Sequence, residues 1–503
     1  VASTVLEPVV TRHRAVPTLL APAVGVVALL LVALAVVGGS RGAIAGGVLL
    51  NLGLVAFATH RYLLRWHVLA IVVVLCLLLI PIGRYDFPIN LPFNMEPYRA
   101  MVMVVALLWL ASLLGQPGTA WRRTGMFLPL FLVSVTIIIS IGVNIPRLAL
   151  PGVEEAVVKQ VSMFASFIFV LLFMSAVIQT REQLDAVIKA LVAGGAIVSF
   201  FSLVQYHTGF NLFDHLDKVL PILHLVPGGI PSNIEARGGG ARIYGSASHP
   251  IALSAALVML LPLGIYLARA FRGRLWISAT ALIAIASMAT VARTGSVMLA
   301  VTLLTYLVLR TRPVLRLWPW LLPFLVVTHF AAPEAIGGLK SAFFPSGGLV
   351  AEQQTQGGIT SSNRLADIGP TLTEWSRKPA FGQGFGTRIT APADPNTNAA
   401  ILDDQWLATL LEVGLFGFLS VLWLTLTSIR RTGSAARGDP TDFGWLLVGL
   451  TATMAGFAVG AVTFDAFSFF QCTFLFFAVM GLAIPARRLA TPAPATGPVA
   501  AAC

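Results

Sequence analysis

Apolar runs long enough to cross a bilayer recur along almost the whole chain, and they constrain its fold more than any motif does. They lie near 18–38, 43–59, 66–82, 99–115, 126–143, 158–178 and 187–206. Further runs lie near 249–268, 275–292, 295–310, 317–332, 402–428, 443–462 and 464–484. A helix needs roughly 20 apolar residues to span hydrocarbon, and in lipid only helices or closed barrels satisfy their own backbone. These runs predict an all-α, polytopic transmembrane helix bundle of about 12–14 helices, the lower count applying if two short runs re-enter rather than cross. Composition agrees: 57% of residues are hydrophobic and 11% charged, where soluble chains carry about 25% charged. With so many spanning runs, the stretch 18–37 reads as a first span and not as a cleaved signal.

Arginine sorts the connections into two sets. Arg12, Arg14, Arg61, Arg65, Arg122, Arg123 and Arg181 fall on alternate connections, and so do Arg269, Arg272, Arg274, Arg310, Arg312 and Arg316. The same side then takes Arg430, Arg431, Arg437, Arg487 and Arg488, while the short connections of the other side hold few, such as Arg41 and Arg147. The positive-inside rule puts the first set in the cytoplasm. Both termini are then cytoplasmic and every long loop faces out. The expected organisation is a cytoplasmic segment 1–17, a transmembrane bundle 18–332 with an outward loop 207–248, and a large extracytoplasmic loop 333–402. C-terminal transmembrane helices 403–484 and a disordered, Ala/Pro-rich cytoplasmic tail 485–503 complete it.

The net charge of +12 belongs with headgroups and the membrane lipid, not with nucleic acid. Cys76 and Cys472 sit inside apolar runs and Cys503 ends the chain, so no disulfide framework or metal-ligand spacing is legible. The eight histidines form no His-x-x-x-His pair. Neither a cofactor nor a metal is expected.

Chemistry concentrates in the outward loops. Arg293 stands at a tight turn between two apolar runs, where charge opposes the topological bias; it either snorkels to headgroups or serves as an anion ligand in a cavity. Arg237 and Arg242 flank a glycine run ahead of Pro250; glycine admits close backbone approach, and an arginine fork matches phosphate oxygens. Arg364 follows Ser362-Asn363, which reads as an N-cap opening a short helix towards Trp375, with Gly369-Pro370 as a candidate break. Gly382-Gln383-Gly384-Phe385-Gly386 follows no strand and lacks a Walker lysine, so in isolation it is a tight turn. Glu412, Gly414 and Gly417 would bring the following helix close to its neighbours. Asp403 and Asp404, at the mouth of a helix, are either a cap or a general base that deprotonates an attacking hydroxyl. Arginines facing a diphosphate and a carboxylate facing an alcohol are the equipment of metal-free glycosyl transfer.

Over about 235–420 these pieces resemble, in order and on one side, the O-antigen ligase/polymerase family of polytopic glycosyltransferases. The resemblance rests on Arg242-x-x-Gly245 before Pro250, Arg293-x-Gly295, Asn363-Arg364, and Trp375 with Pro379-x-x-Gly382-x-Gly384. It continues through Asp403-Asp404-Gln405-Trp406-Leu407 and Glu412-x-Gly414-x-x-Gly417. It implies transfer of a glycan from a polyprenyl-diphosphate-linked donor to a glycan or lipid-linked acceptor, at the outer face of the plasma membrane. The positions of Arg242 and Arg293 would hold the diphosphate, with Arg364 and Arg237 assisting. In that family the base is a histidine of a His-Asn-x-Tyr-Leu motif, and here Asp403 occupies its place. The departure points towards polymerases of exopolysaccharide or capsule. Two competing expectations stand beside it: a flippase for lipid-linked oligosaccharide, and a metal-dependent transferase using Glu154-Glu155 or Asp403-Asp404.

Overall fold

The structure, a computed structural model, describes residues 65–87, 95–115, 124–231, 242–316, 318–333, 335–344, 365, 367–388 and 402–490. The chain divides into two compact units, 1–65 with 218–222 and 66–217 with 223–503; the elements below belong to the second.

The apolar runs that fall within the described residues become helices, and those near 18–38 and 43–59 lie outside them. Within the described residues they are α1 (Trp66–Leu79), α2 (Pro97–Gly115), α3 (Phe127–Gly142), α4 (Val153–Val177), α5 (Arg181–Thr208) and α6 (Pro250–Phe271). The second half comprises α7 (Arg274–Ala289), α8 (Arg293–Leu315), α9 (Leu321–Ala331), α10 (Gln405–Gly438), α11 (Asp442–Gly460) and α12 (Phe470–Ala490). Eight are long and apolar enough to cross a membrane, and α1, α3, α7 and α9 are shorter apolar helices. The protein is thus an all-α, multi-pass helical bundle. A single two-stranded antiparallel ribbon among the described residues, β1 (Tyr85–Asp86) with β2 (His224–Leu225), ties two loops together.

Helices α6, α11 and α12 are buried along most of their length and form the centre, whereas α2 and α8 are buried over little of theirs. Exposed side chains on α2, α3 and α8 are large and apolar, among them Leu107, Leu114, Phe127, Ile138 and Val308, which suits lipid and not water. Small residues set the central spacing. A side chain at Gly449 would press on the Pro262 carbonyl of α6, and one at Gly481 on the Leu171 carbonyl of α4. Backbones approach this closely only where a helix lacks a Cβ.

The bundle has two unlike ends. At one, arginines bind carboxylates and helix-end carbonyls: Arg269 Nε lies 2.9 Å from Asp442, and Arg310 donates to the Ala436 carbonyl at 2.8 Å. The other end gathers the long connections, and it is where the candidate site lies.

Several boundaries differ from expectation. The run near 464–484 does not begin a helix at 464; α12 starts at Phe470, and 461–469 is a turn-rich connection. Helix α12 also continues through Pro485 to Ala490, past the expected start of the tail at 485. The described short helix of the large loop is Ile368–Trp375 with Asp367 at its N-cap, while Ser362 and Asn363 lie outside the described residues. Gly369 and Pro370 lie in its first turn, where a missing N–H has no intrahelical partner to lose, so they do not break it.

Candidate functional site

The connection 461–469 is the hub of the loop end. The Gln405 N–H, at the start of α10, donates to the carbonyls of Ala461 and Phe464 at 2.8 and 3.2 Å. Its side-chain oxygen accepts from the Phe467 N–H at 2.6 Å. From the other side, the Thr463 hydroxyl donates to the Thr294 hydroxyl at 2.9 Å, one residue beyond Arg293. Gln471, just after the hub, donates to the Ser246 hydroxyl at 3.1 Å, in the segment that follows Arg242. The segments of Arg293 and Asp403 therefore meet this short connection, and that of Arg242 meets the first turn of α12 directly after it.

Arg242 is also tied to the turn that precedes Arg293. Arg242 is buried, and its Nε donates to the Thr290 carbonyl at 3.4 Å, in the turn that closes α7 and opens α8. That turn is unusual because Val291 adopts φ 50°, a conformation costly for a β-branched residue. It delivers Arg293 to the first position of α8, behind the N-cap Ala292.

The two aspartates before α10 are not equivalent. Asp404 is the N-cap; its Oδ1 accepts from the Trp406 and Leu407 N–H groups at 2.8 and 3.1 Å. Here the capping reading holds for Asp404. The charge of Asp403 instead bears on two other carboxylates, Asp367 and Asp465. Burial pushes the Asp367 carboxyl up to about 6, the Asp403 charge adds to the rise, and Arg388 opposes it. Asp465 is likewise raised, first by burial; the Ser468 hydroxyl, which donates to its Oδ2 at 2.6 Å, and Arg388 pull the other way. Asp367 of the large loop and Asp465 of the hub thus share the field of the Arg388 guanidinium and that of Asp403 at the head of α10. Asp367 and Asp465 are both raised by burial and by the Asp403 charge, the behaviour of carboxyls that hold a proton more tightly than a solvated one.

Arg388 owes its position to a docked loop. The Gly382-to-Gly386 run makes the tight turn expected of it: Gly382, Gly384 and Gly386 have φ of 67°, 108° and 71°. In that shape Gln383 and Gly384 donate to the carbonyls of Leu411 and Glu412 at 2.8 and 3.0 Å. Helix α10 receives the loop through a break at Gly414, with φ 69° and ψ −170°, a region almost exclusive to glycine. Beyond the break, Leu415 donates to the Pro379 carbonyl at 2.8 Å. From the connection between α3 and α4, Asn144 donates to the Gly382 carbonyl and Arg147 to that of Gln383, each at 3.1 Å. Arg147, one of the few arginines assigned to the outward side, is thus a clamp on this loop.

A second polar node lies on the other flank of the hub. Arg84 is 1% exposed and pairs with Asp214 at 2.8 Å. It also donates to the carbonyls of Phe213, Gly245 and Ala247. Tyr244 donates to the second Asp214 oxygen at 2.6 Å. A buried charge needs an ion-pair partner and hydrogen bonds to be tolerated, and this node ties down the segment 242–249 that presents Arg242.

Of the residues singled out from sequence, Arg242, Arg293, Asp403 and Asp404 are gathered around the hub. Arg237 and Arg364 lie outside the described residues. Glu154 and Glu155 are exposed in the first turn of α4, where negative charge favours a helix start. No three His, Cys, Asp or Glu side chains among the described residues are close enough to hold one metal ion. The sequence reading overlooked Asp367, Arg388 and Asp465. Asp465 was hidden inside an apolar run, and only the position of Arg388, two residues after the glycine turn, could have drawn notice. No family model matches the chain, and no curated protein matches it.

Proposed function

We propose that the protein is a membrane glycosyltransferase of the O-antigen ligase/polymerase type, with the loop end of the bundle facing out of the cell. In this reading it polymerises or ligates oligosaccharide carried on a polyprenyl diphosphate, at the outer face of the plasma membrane. What carries the reading is the junction of Arg242 with the turn before Arg293, beside a hub that also holds the head of α10 and Asp403. Two guanidinium groups on such a frame suit a diphosphate, whose oxygens accept paired N–H donors.

The chemistry is an inverting displacement. The acceptor hydroxyl oxygen attacks the anomeric carbon of the donor sugar, and the bond from that carbon to the diphosphate oxygen breaks. Its electron pair leaves with the lipid diphosphate, where Arg242 and Arg293 stabilise the growing charge. Asp403 takes the hydroxyl proton. Asp465 and Asp367, carboxyls raised towards neutrality in the same field, supply neighbouring sites through which that proton reaches water.

Purified protein in detergent, given a polyprenyl-diphosphate oligosaccharide and excess EDTA, is expected to lengthen or transfer the glycan. Product without two compartments rules against the flippase alternative, and activity in EDTA rules against the metal-dependent one. Unchanged product from Arg293→Ala at equal protein level would overturn the assignment.

A further inference from the structure

At the arginine-bearing end of the bundle, the first turn of α3 and the far half of α10 enclose an open groove of about 320 Å³. Trp423, Thr427, Arg430 and Arg431 line it from α10, and Leu128 and Pro129 line it from α3. The four α10 residues are spaced i, i+4, i+7 and i+8, which puts them on one face of a helix. The volume is at the lower end of the range for small-molecule sites, roughly 300–1,000 Å³.

The groove is positive and nothing in the protein neutralises it. Elsewhere at this end Arg269 is paired with Asp442, and Arg310 is spent on the Ala436 carbonyl. Arg430 and Arg431 are exposed, and neither is in an ion pair among the described residues. No Asp or Glu occurs between Glu96 and Glu154, the stretch that supplies α3, or between Glu412 and Asp439, the stretch that supplies this face of α10. The charges of Arg431 and Arg488 both bear on Arg487, so the positive field extends to the end of α12. Helix α3 adds its positive pole, since its first turn has no acidic residue and Met126 makes no side-chain cap. One bond sets the geometry: Arg431 donates to the Gly125 carbonyl at 2.5 Å, just ahead of α3. A Cβ at Gly125 would lie 2.6 Å from the same guanidinium nitrogen, so this approach requires glycine.

The groove is also open to hydrocarbon. Leu128 is 53% exposed and Trp423 43%, and Phe127, Phe131 and Leu426 continue the same bare apolar surface. Guanidinium forks match phosphate oxygens, and an indole suits the boundary between headgroups and acyl chains. A free anion leaves Leu128 and Trp423 without a partner, and an uncharged lipid leaves the arginines without one. An amphiphile with an anionic head satisfies both.

We propose that this groove binds an anionic phospholipid from the leaflet at the arginine end, its phosphate on Arg430 and Arg431 and its acyl chains along Leu128 and Trp423. The lipid braces α3 against α10. At their other ends the same two helices are joined by the Ser140 hydroxyl, which donates to the Glu412 carbonyl at 2.7 Å, beside the docked glycine turn. The inference needs only the multi-pass bundle and does not rest on the glycosyltransferase reading.

The test uses the full chain in detergent with three probes: dioleoylphosphatidylglycerol, dioleoylphosphatidylcholine and inorganic phosphate. Native mass spectrometry reads lipid binding, and the melting temperature reads its effect on the fold. Phosphatidylglycerol is expected to bind and to raise the melting temperature, while phosphatidylcholine and inorganic phosphate do neither. Arg430→Gln should weaken phosphatidylglycerol binding about tenfold, and Trp423→Ala should weaken it as well. Arg431→Gln also loses the bond to Gly125, so the exposed Arg430 is the decisive variant. Arg312→Gln removes the same charge from an exposed position at the same end, outside the groove, and should leave binding unchanged. Equal losses from Arg312→Gln and Arg430→Gln would mean a general attraction of the basic end and would overturn the site. Equal binding of phosphatidylcholine, stabilisation by inorganic phosphate alone, unchanged binding by Trp423→Ala, or no bound phosphatidylglycerol would each overturn it too.

Discussion

The Nε of Arg242 donates to the carbonyl of Thr290 at 3.4 Å, so a guanidinium from the loop before α6 is anchored three residues ahead of Arg293. In the proposed function the two arginines act on one diphosphate from the same turn, and neither is replaceable by a point charge on a flexible stem.

The first prediction is that Arg242→Ala, Arg293→Ala and the double variant all lose product to a similar degree. Groups acting as a unit are strongly non-additive. The measurement is single-turnover transfer from lipid-linked donor at matched protein levels. Independent, multiplicative losses would contradict the coupling. Arg242→Lys should recover little, because an ammonium cannot both reach Thr290 and fork onto a diphosphate.

Asp403 and Asp404 should separate cleanly. Asp403→Asn is expected to lower turnover by about 100-fold or more, as for removal of a general base. Asp404→Asn keeps an oxygen that can accept from Trp406 and Leu407 and should be close to normal. Asp404→Ala removes the cap and should cost about 1 kcal/mol of stability, read as a lower melting temperature.

Asp367 makes a prediction about pH. Its carboxyl is raised to about 6 in the folded protein from an ordinary value of 3.8. The folded state therefore binds the proton more tightly than the unfolded one between those values. Stability is greatest below about 4 and falls as pH rises through about 6. Asp367→Asn removes the penalty of holding a buried negative charge beside Asp403. Its melting temperature should exceed that of the parent by about 1–2 °C at pH 7.5 and match it at pH 4, and the slope between should flatten.

Gly414 is the fold's most exacting backbone position. A Cβ at φ 69°, ψ −170° is both strained and set against the Ala380 carbonyl. Gly414→Ala should cost at least about 2–3 kcal/mol and release the loop that carries Arg388. Fluorescence-detected gel filtration should show loss of the monodisperse species. A normal profile would mean that the loop does not depend on the break.

Arg84→Met should be worse than the pair Arg84→Met with Asp214→Leu. Removing one partner leaves the other charge buried, which costs about 3–5 kcal/mol, whereas removing both relieves it. Melting curves of the parent and the two variants test this, and equal losses from single and double changes would contradict the pairing.

The sequence by itself determined the helices and their approximate ends, because an apolar run of spanning length has one stable conformation in lipid and its arginines mark where it stops. That information is local, and it also singled out Arg242, Arg293 and Asp403 as charges at helix ends. The tertiary structure decided what those charges face. Hydropathy could not show that 464–469 is a connection, since one aspartate among phenylalanines barely alters the mean, and what holds it there is its bonding to Gln405 and Thr294. It could not rank Asp403 above Asp404, because both suit a helix start and only the geometry of the first turn chooses the cap. Nor could spacing relate Asp367, Arg388 and Asp465, which are brought together by a glycine turn seated in a broken helix. Local polarity is written in the order of residues; the field at a site is a sum over distances in space, which chain order leaves open until the helices pack.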